Sequence, residues 1–194
     1  MLWPKEVRDV FKTGPDREIV RSYPYRSACP STAWGQLISS AKADLYFAGY
    51  TNYFLWLEQP NLVEALRRKA ETGCRVRFLL GDPDGDVTRQ REAIEDVALS
   101  VSTRVRITLE HLRRLGPTEG LEARFSAPAD AMNHVSLSVF RFDQDALVTP
   151  HLARLAGHDS PLMHLRGQGE GGMWSRFVDH AEELWERGTP VRLP

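Results

Sequence analysis

Lysine is nearly missing from this chain. Among 194 residues there are four, Lys5, Lys12, Lys42 and Lys69, and none follows position 69, so the remaining basic side chains are arginines. Chemistry that depends on an ammonium group has no donor in the second half of the sequence. Cysteine is equally scarce: Cys29 and Cys74 are too few for a disulfide framework and too far apart for a metal knuckle. A structural zinc site is excluded on that spacing, and a reducing cytoplasm is the expected location. Long apolar runs are absent as well. Leu45–Ala48 and Phe78–Leu80 fall far short of the roughly 18–20 residues of a membrane span, and Met1–Lys5 lacks the basic-then-apolar order of a secretory signal. Nor is there an excess of positive charge. Twenty-five basic residues against 26 acidic ones leave a net charge of −1, which removes general attraction to a phosphate backbone.

What remains is a composition with 42% hydrophobic residues, enough for one core. Residues 1–30, rich in charge and proline, read as an N-terminal arm or linker with a short helix over Lys5–Phe11 and an extended stretch through Tyr23. Residues 31–194 read as a single α/β domain. A helix capped at Ser31 or Thr32 runs to about Ala43, with Trp34, Leu37, Ile38 and Ala41 at helical spacing. Asp44–Tyr50 is a buried strand. Pro60 opens a second helix striped by Leu62, Val63, Leu66 and Ala70, Gly73 stops it, and Cys74–Gly81 is the next strand. This strand–helix–strand spacing suits a parallel crossover. The plan repeats with a helix over Val87–Leu99 and a strand over Thr103–Leu109. Shorter strands follow at Leu121–Ser126, Val135–Phe142, Ala146–Val148 and Leu162–Leu165, then a loop over Gly167–Gly172. Trp174, Phe177, Val178, Ala181, Leu184 and Trp185 mark an amphipathic final helix. The expected architecture is a mixed, mostly parallel sheet flanked by helices.

In such a sheet the ligand crevice lies beyond the carboxyl ends of the strands. Two loops there carry polar chemistry. After Gly49, the residues Tyr50, Thr51, Asn52 and Tyr53 offer hydroxyl and amide groups beside aromatic faces. After Gly81, Asp82, Asp84 and Asp86 set three carboxylates near a helix start; without the closing glutamate of a calcium loop, Asp86 serves as a cap and no metal is expected. Arg124 and Arg141 stand within apolar alternation and are candidate anion partners, and His134 and His151 are candidate polar contacts.

The segment Asn133–His151, strand then turn then strand, resembles the phospholipase D superfamily region that carries His-x-Lys-x4-Asp and a small polar residue after the second strand. In that family a histidine attacks phosphorus and a lysine binds the phosphate. Matching Asp143 to the family aspartate puts Ser136 at the histidine position and Ser138 at the lysine position. Matching His134 instead puts Ser136 at the lysine position and Arg141 at the aspartate position. Neither register restores the motif, and a serine hydroxyl cannot replace imidazole as nucleophile without an activating base. Over nearly its whole length the chain is also similar to the C-terminal domain of actinobacterial XRE-type helix-turn-helix regulators. The matching stretches are Leu2–Pro4, Phe47–Leu57, Arg77–Pro83, Val139–Asp143 and Val148–Leu152. That resemblance implies a cytoplasmic, ligand-sensing or dimerising effector domain, with DNA read only through a separate helix-turn-helix domain. No such domain fits before residue 30, which points to a fragment of a regulator or a stand-alone relative.

The expectation is therefore a phospholipase-D-like sheet with no cofactor. It binds a small polar or phosphorylated molecule through Tyr50, Asn52, Asp82, Asp84, Arg124, His134 and Arg141, and acts as a homodimer without a membrane. The alternative is a divergent phosphodiesterase or transferase using His134 or His151 with Asp143, and a third reading is a pure interaction module meeting a partner through Trp56, Leu57 and the final helix.

Overall fold

In the computed structural model the alternation of apolar strands and amphipathic helices resolves into an eight-stranded sheet with helices on both faces. The structure describes residues 18–193 apart from 96, 117 and 154; the helix expected over Lys5–Phe11 lies outside the described residues. The strands are β1 (Ile19–Tyr23), β2 (Asp44–Ala48), β3 (Arg75–Leu80), β4 (Leu121–Phe125), β5 (Leu137–Phe142), β6 (Asp145–Pro150), β7 (Leu162–Arg166) and β8 (Thr189–Pro190). Their order across the sheet is β1-β7-β6-β5-β2-β3-β4-β8. Only β2–β3 and β3–β4 are parallel pairs, and the other pairings are antiparallel. The sheet is mixed, with a smaller parallel share than the crossover spacing suggests. Ile19–Tyr23, read from the sequence as part of an arm, is an edge strand on β7.

The helices are α1 (Ser31–Ser40), α2 (Tyr53–Glu58), α3 (Leu62–Glu71), α4 (Asp86–Glu95), α5 (Val101–Arg113), α6 (Ala131–Ser136) and α7 (Met173–Arg187). One departure from the sequence reading matters for function: Thr103–Leu109 is helical, within α5. Its β-branched residues favour a strand in isolation. However, the buried positions Val101, Val105, Thr108, Leu109 and Leu112 fall at helical spacing, and Ser100 caps the helix by accepting from the Thr103 amide. Tertiary burial along that stripe outweighs local propensity, and α5 packs beside α4 and α2 on one face of the sheet. The third parallel strand is instead Leu121–Phe125.

Side chains alternate strictly across the sheet. Leu45, Phe47, Val76, Phe78, Phe140 and Phe142 point to the face covered by α1, α2, α3 and α5, where Trp34 meets Phe140 edge-on at 5.1 Å and Phe47 stacks on Phe78 at 4.7 Å. Tyr46, Ala48, Leu79, Val139 and Val148 point to the other face and bury Val178, Ala181, Leu184 and Trp185 of α7. This second face holds a buried charge cluster. Arg77, 1% exposed, is a fork between Asp44 (3.1 Å) and Glu182 of α7 (2.6 Å), with Arg141 beside both carboxylates and the Tyr46 ring under the guanidinium at 4.3 Å. Burial pulls the Arg77 pKa down, but the two carboxylates outweigh it and the group stays charged. Ionic bonds from Glu182 to Arg77 and Arg141 thus tie α7 to the centre of the sheet beside its apolar contacts.

Removing one partner of a buried ion cluster strands the others in low dielectric, so Arg77→Met should lower the unfolding free energy by about 3–5 kcal/mol. The double change Arg77→Met with Glu182→Leu should recover part of that loss in urea titrations. A loss below about 1 kcal/mol for the single variant would mean the cluster does not hold the helix.

Candidate ligand-binding site

Because β5 runs antiparallel to β2 and β6 antiparallel to β5, one rim of the sheet gathers the ends of β2, β3, β4 and β6 and the start of β5. A cavity of about 430 Å³ opens there, between α2, α4, α5 and the loop that carries His151 and Gly157. The loop leaving β2 builds one wall. At Gly49 a Cβ would sit 2.4 Å from Asn52 Oδ1 and 3.0 Å from the Phe140 ring, so only glycine allows the turn to fold this tightly. Asn52 takes a left-handed conformation (φ 52°) and donates through Nδ2 to the carbonyls of Phe47 (3.1 Å) and Leu79 (3.3 Å), clamping the loop to β2 and β3. Tyr50 turns inward across Gly81, and its hydroxyl meets Thr88 Oγ1 at 2.9 Å. Helix α2 follows, anchored by Trp56 Nε1 donating to Thr108 Oγ1 (3.0 Å), which itself donates to the Thr51 carbonyl (2.7 Å). That brings Tyr53, Phe54, Leu57 and Glu58 to the cavity.

The opposite side is charged. In α4, Arg91 Nε donates to Glu95 Oε1 at 2.8 Å, and Arg104 of α5 pairs with the other oxygen. Arg91 also donates to the Leu155 carbonyl at 2.8 Å, tying α4 to the segment at Leu155. Arg26, just beyond β1, lies over the Phe54 ring at 3.8 Å, and its buried Nε has no hydrogen-bond partner among the described residues. Burial lowers its pKa to about 10, opposed by Glu58 and reinforced by Arg104; it remains a cation at neutral pH. Burial likewise raises Glu58, against the pull of Arg26.

The floor is polar and neutral. Ser138 Oγ, on β5, lies 2.8 Å from His151 Nε2, just past β6. Burial lowers the His151 pKa to about 4, helped by Arg26 and Arg91 and opposed by Glu95, so the ring is uncharged at neutral pH. In the register that aligns Asp143 with the phospholipase D aspartate, Ser138 stands where the lysine would be.

The structure scatters the other residues proposed from sequence. Tyr50 and Asn52 line the cavity. His134 does not: it lies in α6, not at a strand start, is fully buried, packs on Tyr50 with ring centroids 5.3 Å apart, and has no partner for either nitrogen among the described residues. Burial, with His151 and His180 nearby, lowers its pKa to about 3. Asp82 and Asp84 are exposed outside the lining; Asp82 accepts from the Asp84 amide in a tight turn, and Asp84 pairs with Arg106 at 2.6 Å. Asp86 opens α4 and pairs with Arg89. Arg124 and Arg141 point to the α7 face, Arg124 donating to the Trp185 carbonyl at 2.8 Å and Arg141 joining Asp44 and Glu182. Strand alternation forces this, since their neighbours Ala123, Phe125, Phe140 and Phe142 occupy the other face. Asp143 sits at the far rim, about 20 Å of strand away, where its carboxylate accepts from the amides of Lys42, Ala43 and Asp44 at 2.7–2.9 Å. Burial raises its pKa, and those three donors more than reverse the effect. The length of β5 therefore separates Asp143 from His134 and His151. Trp56, proposed as a partner contact, is buried, while Leu57 beside it is exposed.

No protein-family model and no curated protein sequence matches the chain. Solved structures do. NucT from Helicobacter pylori superposes with a TM-score of 0.55 at 11% identity, covering 88% of this chain and 98% of NucT. TrmBL2, an archaeal chromatin protein with a novel mode of DNA binding, superposes with a TM-score of 0.53 at 15% identity over 96% of this chain. The chain spans 60% of the length of TrmBL2. Nuc from Salmonella typhimurium, a phospholipase D family member, is matched more loosely, with a TM-score of 0.43 at 13% identity over 81% of this chain and 87% of Nuc. The likeness is one of fold: a single α/β domain with a mixed sheet between helices. Among the described residues, no three histidine, cysteine, aspartate or glutamate side chains converge as metal ligands, and no helix is long and apolar enough to cross a membrane.

Buried His134 and partly buried His151 generate a pH dependence whose sign is fixed. Both have folded-state pKa values below the unfolded value near 6.5, so their contribution to stability is complete above pH 6.5 and is lost as the pH falls toward 4 and 3. From pH 7.5 to pH 5, linkage puts the loss at about 2 kcal/mol per histidine. Denaturant titrations of His134→Leu should show about half the wild-type slope over this range. An unchanged slope would show that His134 is not held neutral in the fold.

Proposed function

We propose that this protein is a ligand-sensing domain whose cavity binds a small polar or anionic molecule without catalysing its conversion. The observation that carries this reading is the composition of the cavity: Arg26, whose buried Nε has no partner among the described residues, lines it together with a neutral Ser138–His151 pair and aromatic rings. Ligand pockets are typically apolar with a few convergent polar groups, and about 430 Å³ is a volume in the small-molecule range. An unsatisfied guanidinium donor gains most from a carboxylate or phosphate oxygen.

Several features favour binding over turnover. Neither register of the resemblance restores the motif, His134 is shut away from the cavity, and His151 presents a ring nitrogen already engaged by Ser138. A phosphoryl-transfer nucleophile needs both access to phosphorus and a cation holding the phosphate. Similarity to helix-turn-helix regulators, together with the fold likeness to a DNA-binding chromatin protein of greater length, supports a cytoplasmic effector domain acting beside a DNA-reading one. The ligand would shift a homodimer between two arrangements through unequal affinity for them.

Purified protein should show a thermal shift with at least one compound in a panel of nucleotides, sugar phosphates and organic acids, and Arg26→Met should abolish that shift. A flat response across the panel, with no change in dimerisation, would overturn sensing. The same preparation should leave bis-p-nitrophenyl phosphate intact; turnover lost in His151→Ala would replace the binding reading with an enzymatic one.

A further inference from the structure

The charges lining the cavity restrict what it can hold. Arg91 and Arg104 are both committed to Glu95, one to each oxygen, and Arg26 shares its surroundings with Glu58. Three guanidinium groups against two carboxylates leave one positive charge uncompensated, with His151 neutral. A phosphate monoester carries about −1.5 to −2 at pH 7, more than this site balances, whereas a carboxylate carries one negative charge and matches the guanidinium fork.

The second restriction is shape and polarity. Besides Ser138 and His151, the lining includes the apolar side chains of Leu57, Val97, Leu99 and Val101. Leu57 is 63% exposed and Val97 52%, and of the large hydrophobic side chains left in water among the described residues these two line the cavity. Both stand where a bound molecule would cover them, and covering apolar surface is favourable in proportion to the area removed from water. A purely polar ligand such as a sugar phosphate would leave those side chains unused and would lose its own hydration against them.

We infer that the ligand is a monoanionic organic acid with an apolar body: its carboxylate meets Arg26 and the Ser138 hydroxyl, and its body lies against Leu57, Val97 and the Phe54 ring. This assignment rests on the binding reading above and narrows it from polar or phosphorylated molecules to amphiphilic acids. The shared chemistry is one carboxylate on an apolar frame, and that frame is either an aromatic ring or a short acyl chain.

Isothermal titration of the whole chain with benzoate, octanoate, inorganic phosphate and glucose 6-phosphate separates the cases. At least one of the two acids should bind about tenfold or more tightly than either phosphate. Preference for benzoate identifies an aromatic frame, and preference for octanoate an acyl chain. Leu57→Asn, a neutral change at an exposed position, should weaken the acid about tenfold, and Arg26→Met should weaken it at least as much. Tighter binding of phosphate or glucose 6-phosphate, lost in Arg26→Met, would overturn the acid assignment and leave the binding site standing. Acid binding indifferent to both substitutions would overturn the assignment too, by placing the acid elsewhere. Silence from all four probes, with a flat compound panel, would overturn the site as well.

Discussion

A single strand pairing organises the molecule. Where β2 meets β5, with Phe47 opposite Phe140 and Ala48 opposite Val139, the parallel half of the sheet is joined to the antiparallel half. The direction of that pairing decides which loops meet. Because β5 runs against β2, the Gly49 turn, the Ser138 hydroxyl and His151 share one rim, and Asp143 is carried to the other. Reversal of β5 would place the Asp143 turn beside Tyr50 and disperse the cavity. The pairing is held from both faces, by the Trp34, Phe54 and Phe140 rings on one side and by the Asp44–Arg77–Glu182–Arg141 cluster on the other.

The two faces hold the strands differently, and function follows from the difference. The α7 face spends its arginines on structure: Arg77, Arg124 and Arg141 are bound to carboxylates or a carbonyl of this chain. The rim commits Arg91 and Arg104 to Glu95 and leaves Arg26 partly unspent. Arg26 is stacked on a ring with a donor left over, which is an unfavourable arrangement for a folded protein by itself and a favourable one for meeting an anion. The sheet thus keeps a cavity at the edge where β2, β3, β4 and β6 end, with the Ser138 hydroxyl and the His151 ring among its lining.

Much of the fold could be read from the sequence, because β2, the end of β3 and the final helix carry clear signals: the apolar runs Leu45–Ala48 and Phe78–Leu80 for the strands, a stripe at 3–4 spacing for Trp174–Trp185. The failures have specific causes. Val101–Leu112 combines β-branched residues with helical burial spacing, so the two signals conflict and packing against α2 decides. Helix α2 escaped notice because Tyr53–Glu58 is too short to show a period. Half of the cavity was legible, since a glycine followed by Tyr50 and Asn52 at a strand end marks a turn with polar chemistry. Its charged half was not. Arg91 and Glu95 have the spacing of an ordinary surface helix pair, Arg104 lay inside the misread strand, and Arg26 lay in the supposed arm. Arg124 and Arg141 looked equally able to face either side, because alternation gives parity but not which parity faces the cavity.

The central claim is that the rim cavity exists to hold a small anion against Arg26. A crystal structure of protein purified from cells without added ligand, at a resolution that reveals bound small molecules, tests it most directly. The account predicts a compact, non-solvent feature between the Arg26 guanidinium and the Ser138 hydroxyl, with Leu57 and Val97 covered by its apolar part. A cavity filled only by water, with Arg26 turned onto Glu58 as a closed ion pair, would contradict it.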